Sequence, residues 1–134
     1  MANALYPLWK QQLLQFTANN NLSAGTVKVA LIDTGTYTYS AAHQFWTSAS
    51  AASVGTPQTL TTKTFTNGVF DADNSTFTAV SGASVEALII YIDTGTAGTS
   101  PLVAYIDTSV TGLPVTPNGG DITITWNASG IFAL

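Results

Sequence analysis

Apolar positions recur along this chain with two different periods. From Pro7 the spacing is helical: Trp9, Leu13 and Phe16 fall four and three residues apart, which places them on one stripe of a short amphipathic helix over residues 6–17. Pro7 suits the first turn of such a helix, where its missing N–H has no intrahelical partner to lose. Asn19-Asn20-Asn21 breaks the pattern. Downstream, Thr, Val, Ile and aromatic residues dominate and Gly, Pro and Asn mark the interruptions, the composition of strands and turns.

Val27 to Ile32 reads as a first strand, with Val27, Val29 and Leu31 on one face and Lys28 on the other, and its almost unbroken apolar character predicts a central position. Asn67-Gly68 between Thr64-Phe65 and Val69-Phe70 predicts a tight hairpin, because both turn positions need positive φ. Ser75 to Val80 follows as a short strand. Val85 to Ile92 and Leu102 to Ile106, separated by Gly95, Gly98 and Pro101, are expected to pair as neighbours. In Asp121 to Trp126, Ile122, Ile124 and Trp126 alternate with Thr123 and Thr125, so the first three face inward, and Asn127 to Gly130 turns the chain into a last strand at Ile131 to Leu134. Residues 35–55 are rich in Ser, Ala and Tyr and read as a long loop or one helical turn after Ser40. The expected fold is mainly β, an antiparallel β-sandwich or barrel-like domain with one N-terminal α-helix. Length supports one domain over 1–134, with an arm and helix in 1–21 and a β body in 22–134.

Charge changes the picture more than hydropathy does. Only 7% of residues are charged, three lysines against six aspartates and one glutamate, where about 25% is usual. Neutral polar residues, 22 Thr and 11 Ser, fill the gap, while 46% apolar residues are ample for a core. Three scattered lysines without arginine cannot neutralise a run of phosphates, which argues against nucleic acid as a partner. Cysteine is absent, so disulfides, thiolate nucleophiles and cysteine zinc sites are excluded. No apolar run approaches a membrane span, and Met1-Ala2-Asn3 leads into Leu5-Tyr6-Pro7 without the basic and apolar regions of a secretion signal, so folding in a cytoplasm is expected.

Four motifs suggest chemistry and each has a plainer explanation. Asp33-Thr34-Gly35 and Asp93-Thr94-Gly95 resemble the paired triplets with which aspartic proteases hold two carboxylates on one water. Sixty residues are too few to separate two full lobes, however, and an Asp that ends a strand commonly bonds the following turn backbone. Asp71-Ala72-Asp73-Asn74-Ser75 spaces oxygen ligands like a calcium loop but has Thr76 and Gly82 where that loop needs Gly and a bidentate Glu, so the expectation is an acidic turn without metal. His43 stands alone beside Phe45 and Trp46 and reads as a hydrogen-bonded packing residue. Asn118-Gly119-Gly120 precedes a strand, not the helix N-terminus that would cradle phosphate. No catalytic residue and no cofactor is expected.

Several segments carry a likeness across nearly the whole chain: Met1-Ala2-Asn3-Ala4-Leu5-Tyr6, Val27-Lys28-Val29-Ala30-Leu31-Ile32-Asp33-Thr34, His43-Gln44-Phe45, Glu86-Ala87-Leu88-Ile89-Ile90-Tyr91, and Gly112-Leu113-Pro114-Val115-Thr116-Pro117-Asn118-Gly119-Gly120-Asp121-Ile122-Thr123-Ile124-Thr125-Trp126. Together they resemble a family of small virion proteins of tailed bacteriophages. The resemblance implies a head decoration (cement) protein on the outer capsid, assembled in the host cytoplasm, with the major capsid protein as partner; it brings no catalytic residues. A tail or baseplate component is the alternative within that class, and a host-glycan-binding module using Trp46, Trp126 and the tyrosines is the alternative outside it. Ten charged side chains cannot supply the charged quarter to third of a soluble monomer's surface, which predicts a homo-oligomer, a trimer for a protein at local threefold positions. The short link Leu22 to Thr26 ties the helix to its own sheet, so Met1, Ala2, Asn3, Ala4 and Leu5 are the expected assembly or attachment residues.

Overall fold

The computed structural model describes residues 3–134. It is mainly β with one helix: β1 (Ala4–Leu5), α1 (Pro7–Leu14), β2 (Thr26–Ile32), β3 (Ser53–Thr59), β4 (Val69–Phe70), β5 (Ser75–Phe77), β6 (Ala87–Asp93), β7 (Leu102–Ile106), β8 (Ile122–Ile124) and β9 (Phe132–Ala133). Five strands form an antiparallel sheet in the order β1-β7-β6-β2-β3, and two small sheets pair β4 with β9 and β5 with β8.

Both faces of the central sheet are covered, which explains why β7, and β6 up to Ile92, are apolar at every step instead of alternating. The β2–β6 register places Val27, Val29 and Leu31 beside Ile92, Ile90 and Leu88 on one face. Phe132 lies over the same face beside Leu5, Ala104 and Ile106, and meets Trp9 and Phe70 at ring distances of 6.0 and 5.2 Å. The opposite face carries Tyr91 and Tyr105 and is roofed by the loop between β2 and β3. Trp46 stacks on Tyr91 at 4.2 Å, and Tyr37 and Tyr39 lean on Tyr105. No helix among the described residues is long and apolar enough to cross a membrane.

Three sequence expectations need correction. The helix ends at Leu14, so Phe16 leaves the expected stripe; Trp9 is buried, Leu13 half-buried, and Phe16 is 94% exposed. The Asn67-Gly68 turn exists, with φ of 56° and 78°, but it closes through a bridge from Thr64 to Asp71 while Val69–Phe70 pairs with the distant Phe132–Ala133. The end of the expected loop is strand β3, and the expected helical turn after Ser40 is replaced by two short 3-10 turns at Trp46–Ser48 and Ser50–Ala52. Trp126 lies beyond β8 and packs half-buried against the core, the side its alternation with Ile122 and Ile124 predicts, its backbone N–H donating to Asn74 Oδ1 and its indole Nε1 to the Asp73 carbonyl.

Candidate functional site

The most distinctive surface begins where α1 stops. Thr17 N donates to the Gln12 carbonyl at 3.0 Å and Phe16 N to the Leu13 carbonyl at 3.1 Å, the two bonds of a Schellman cap. That cap needs a left-handed residue, normally Gly, and here Phe16 holds φ 56°. A bulky side chain in that conformation costs on the order of 1 kcal/mol. Its ring is not compensated by burial. Leu14, one turn residue earlier, is 89% exposed as well.

Phe16 lines an apolar groove of about 500 Å³ together with Trp9, Leu13, Leu22, Phe65, Leu134 and the turn Thr17 to Asn21. Each wall has a structural cause. Trp9 is fixed by its indole N–H, which donates to the Asn20 carbonyl, and the Asn20 amide in turn donates to the Thr17 and Ala18 carbonyls. Leu22 is fixed by Lys63, whose ammonium donates to the Leu22 and Gly25 carbonyls at 2.6 and 2.7 Å and more distantly to that of Ser23. Partial burial holds the Lys63 pKa below its ordinary value. Phe65 stacks on Phe70 at 5.5 Å, and Leu134 N donates to the Gly68 carbonyl. No ionisable side chain lines the groove.

The expected attachment arm is anchored within its own chain from Asn3 onward. Ala4 and Leu5 pair with Tyr105 and Ala104 as the edge strand of the main sheet. Asn3 Oδ1 accepts the backbone N–H groups of Asp107 and Thr108, and its amide donates to the Thr108 carbonyl. Asn3, Ala4 and Leu5 thus close the sheet edge of their own chain; Met1 and Ala2 lie outside the described residues.

The chemical motifs resolve into turns and packing. Because β2 and β6 are antiparallel, with Thr26 opposite Asp93 and Ile32 opposite Ala87, Asp33 and Asp93 stand at opposite ends of the sheet, about 20 Å apart. They do not share a water. Each carboxylate accepts the N–H two residues on, Gly35 at 2.9 Å and Gly95 at 2.8 Å, as turn-capping aspartates do. Asp93 also pairs with Lys28 at 2.8 Å, and that hydrogen bond, followed by the Gly95 N–H, lowers its pKa. Asp73 accepts the Thr62 hydroxyl and Asp71 the N–H of Ala72, and among the described residues no three acidic or histidine side chains converge on a metal position.

His43 joins a buried hydrogen-bonded chain. The Tyr6 and Tyr37 hydroxyls share a 2.8 Å bond, and Tyr37 shares a 3.0 Å bond with His43 Nδ1. Burial raises the Tyr6 and Tyr37 pKa values above the ordinary phenol range, and it pushes Tyr91 and Tyr105 up to about 12. Beside this chain a shallow cleft is lined by Thr34, Tyr39, Glu86 and Asp107. The Glu86 pKa is lowered by the Ser84 hydroxyl and by the Thr34 N–H and hydroxyl. Trp46 is buried against Tyr91, which leaves it no free face for a sugar.

None of the protein-family models matches this chain, and none of the curated proteins compared with it does. The groove was not legible beforehand because its key residue was assigned to the buried stripe. The one available signal was the lack of any Gly between Leu14 and Asn19 at a helix end that must reverse direction.

Proposed function

We propose that this chain is a non-enzymatic structural protein of a tailed-bacteriophage particle, a head decoration (cement) protein that binds the outer capsid and stabilises the head, with the major capsid protein and its own copies as partners. The observation that supports the reading best is the apolar face made by Phe16, Phe65 and Leu134 at the groove, whose lining has no ionisable side chain. A chain with ten charged residues that leaves large apolar side chains such as Phe16 and Leu134 in water is suited to contact other protein. The segments that resemble phage virion proteins include the central strands β2 and β6, so the likeness extends through the core of the fold. The capped turns at Asp33 and Asp93 fit a scaffold role.

Purified protein mixed with decoration-free shells, and separately with isolated tails, tests the proposal by co-sedimentation. Saturable binding of many copies per shell is expected. Binding to tails alone, or to neither, overturns it.

A further inference from the structure

We infer that the hydrogen-bonded chain Tyr6, Tyr37 and His43 is an acid-sensitive latch: a proton taken up by His43 releases residues 38–43 from the tyrosine face of the main sheet. The inference does not depend on the phage reading. It starts from a count of hydrogens. Tyr6 is fully buried, and among the described residues its hydroxyl has one hydrogen-bond partner, the Tyr37 hydroxyl at 2.8 Å. Cut off from water, the Tyr6 hydrogen goes to the Tyr37 oxygen. The backbone N–H of Ser40 also acts on that oxygen as a donor, so the Tyr37 hydrogen is directed to His43 Nδ1 at 3.0 Å. A neutral imidazole accepts it there only with its own proton on Nε2. In that arrangement both hydroxyl hydrogens have acceptors and none is left over.

A second proton on the ring destroys it. Imidazolium donates from both nitrogens and accepts at neither. If Nδ1–H donates to the Tyr37 oxygen, the Tyr37 hydrogen must turn back to Tyr6, and the Tyr6 hydrogen is stranded in the core without an acceptor. The alternative is for the ring to leave. His43 is half-buried, so a small swing brings both of its N–H groups to water. The titratable groups packed around the chain are Tyr39 of the same loop, against Tyr6, and Tyr105 of β7, against Tyr37; Glu86 and Asp107 line the cleft that Tyr37, Tyr39 and Tyr105 share. No ion pair among the described residues includes His43, so no carboxylate holds its cation in place.

The backbone shows which part is free to move. On one side the Asp33 carbonyl accepts the N–H groups of Thr36 and Tyr37; on the other, Gln44 accepts the Leu102 N–H and the Trp46 N–H donates to the Ser100 carbonyl. Between these anchors, among the described residues, no backbone hydrogen bond ties residues 38–43 to a strand. The His43 N–H donates to the Ser40 carbonyl and the Ala42 N–H to the Ser40 hydroxyl, both within the segment. Its hold on the sheet is the packing of Tyr39 on Tyr105 and the bond from Tyr37 to His43. Histidine is the side chain whose ordinary charge change falls between about pH 5 and 8, and this sequence has one.

The test is NMR of the full chain at about pH 8 and about pH 5, reading the nitrogen shifts of the His43 ring and the exchange of backbone amides relative to their intrinsic rates at each pH. At the higher pH the ring should carry its proton on Nε2, with Nδ1 as acceptor. On acidification the protection of the Ala42 and His43 amides should fall by at least about tenfold while the β6 amides keep theirs. His43→Asn keeps an acceptor oxygen near the Nδ1 position and takes up no proton, so its loop protection should change by less than about twofold between the two conditions. Tyr37→Phe removes the bond itself, and its loop should show the low protection at both. Wild-type protection that is the same at the two pH values, an equal fall in His43→Asn, a fall that persists in Tyr37→Phe, or a proton on Nδ1 at the higher pH overturns the inference.

Discussion

At the scale of single residues, Phe16 and Trp9 show how little the helical period says about burial. Both sit on the same calculated stripe, yet Trp9 is enclosed and hydrogen-bonded to Asn20 while Phe16 points into water. Trp9→Ala should therefore cost about 3–5 kcal/mol, whereas Phe16→Gly should gain on the order of 1 kcal/mol by relieving the left-handed strain; urea denaturation of the two variants checks both. Titration offers a second test at this scale. Glu86 and Asp93 have pKa values below their ordinary 4.5 and 3.8, so the stability they contribute is complete above those values and is lost as pH falls through the folded-state values. Melting temperature should be flat with respect to these two groups at neutral pH and decline below about pH 4.5, with Glu86→Gln removing the upper part of that decline. The tyrosines act at the other end. Tyr6, Tyr37, Tyr91 and Tyr105 have raised values, so their contribution is full below the ordinary 10 and falls as pH rises beyond it. Tyrosinate absorbance from these four side chains should then appear together with unfolding, not before it.

At the scale of elements, β2, β6 and β7 were legible because strands covered on both faces form nearly continuous apolar runs, interrupted here only near the ends by Lys28 and Asp93. Strand β3 was not. Its sequence holds Gly55 and Pro57, and it borders the sheet with most of its side chains half-buried or exposed, so no apolar alternation marks it. The Asn67-Gly68 turn was legible from its two residues, but its pairing was not, since Phe70 finds Phe132 through long-range packing that local chemistry does not encode. The terminal arm shows a similar limit: a two-residue strand has no period to read, and its role is visible only in the Asn3 bonds to Asp107 and Thr108 and in the pairing with β7. Removing residues 1–5 should leave a folded domain with a lower Tm and faster hydrogen exchange at Ala104 and Tyr105, whose edge loses its cover. Unchanged exchange there would contradict the assignment of β1. Lys63 provides an independent check. Lys63→Met removes the donor that gathers the Leu22 and Gly25 carbonyls, and should destabilise the fold by about 1–3 kcal/mol.

At the scale of the whole molecule, the scarcity of charge and the exposed apolar face have one physical explanation. A surface of threonine and serine is soluble without being strongly repulsive, and a chain with net charge −4 spread over 134 residues can approach copies of itself or another neutral protein at little electrostatic cost. The fold gives that surface a rigid backing: a sheet buried on both faces, a helix anchored by Trp9, and turns held by their own aspartates and asparagines. Within the proposed particle, contacts made by so sparsely charged a chain should depend little on salt, and shell binding should change by less than about twofold between low and high ionic strength. The most direct test of the account is cryo-electron microscopy of the phage particle that carries this protein. The account predicts regular density for many copies on the outer head surface, with the Phe16 face buried in a contact. Density confined to the tail, or head density with that face turned to solvent in every copy, would contradict it.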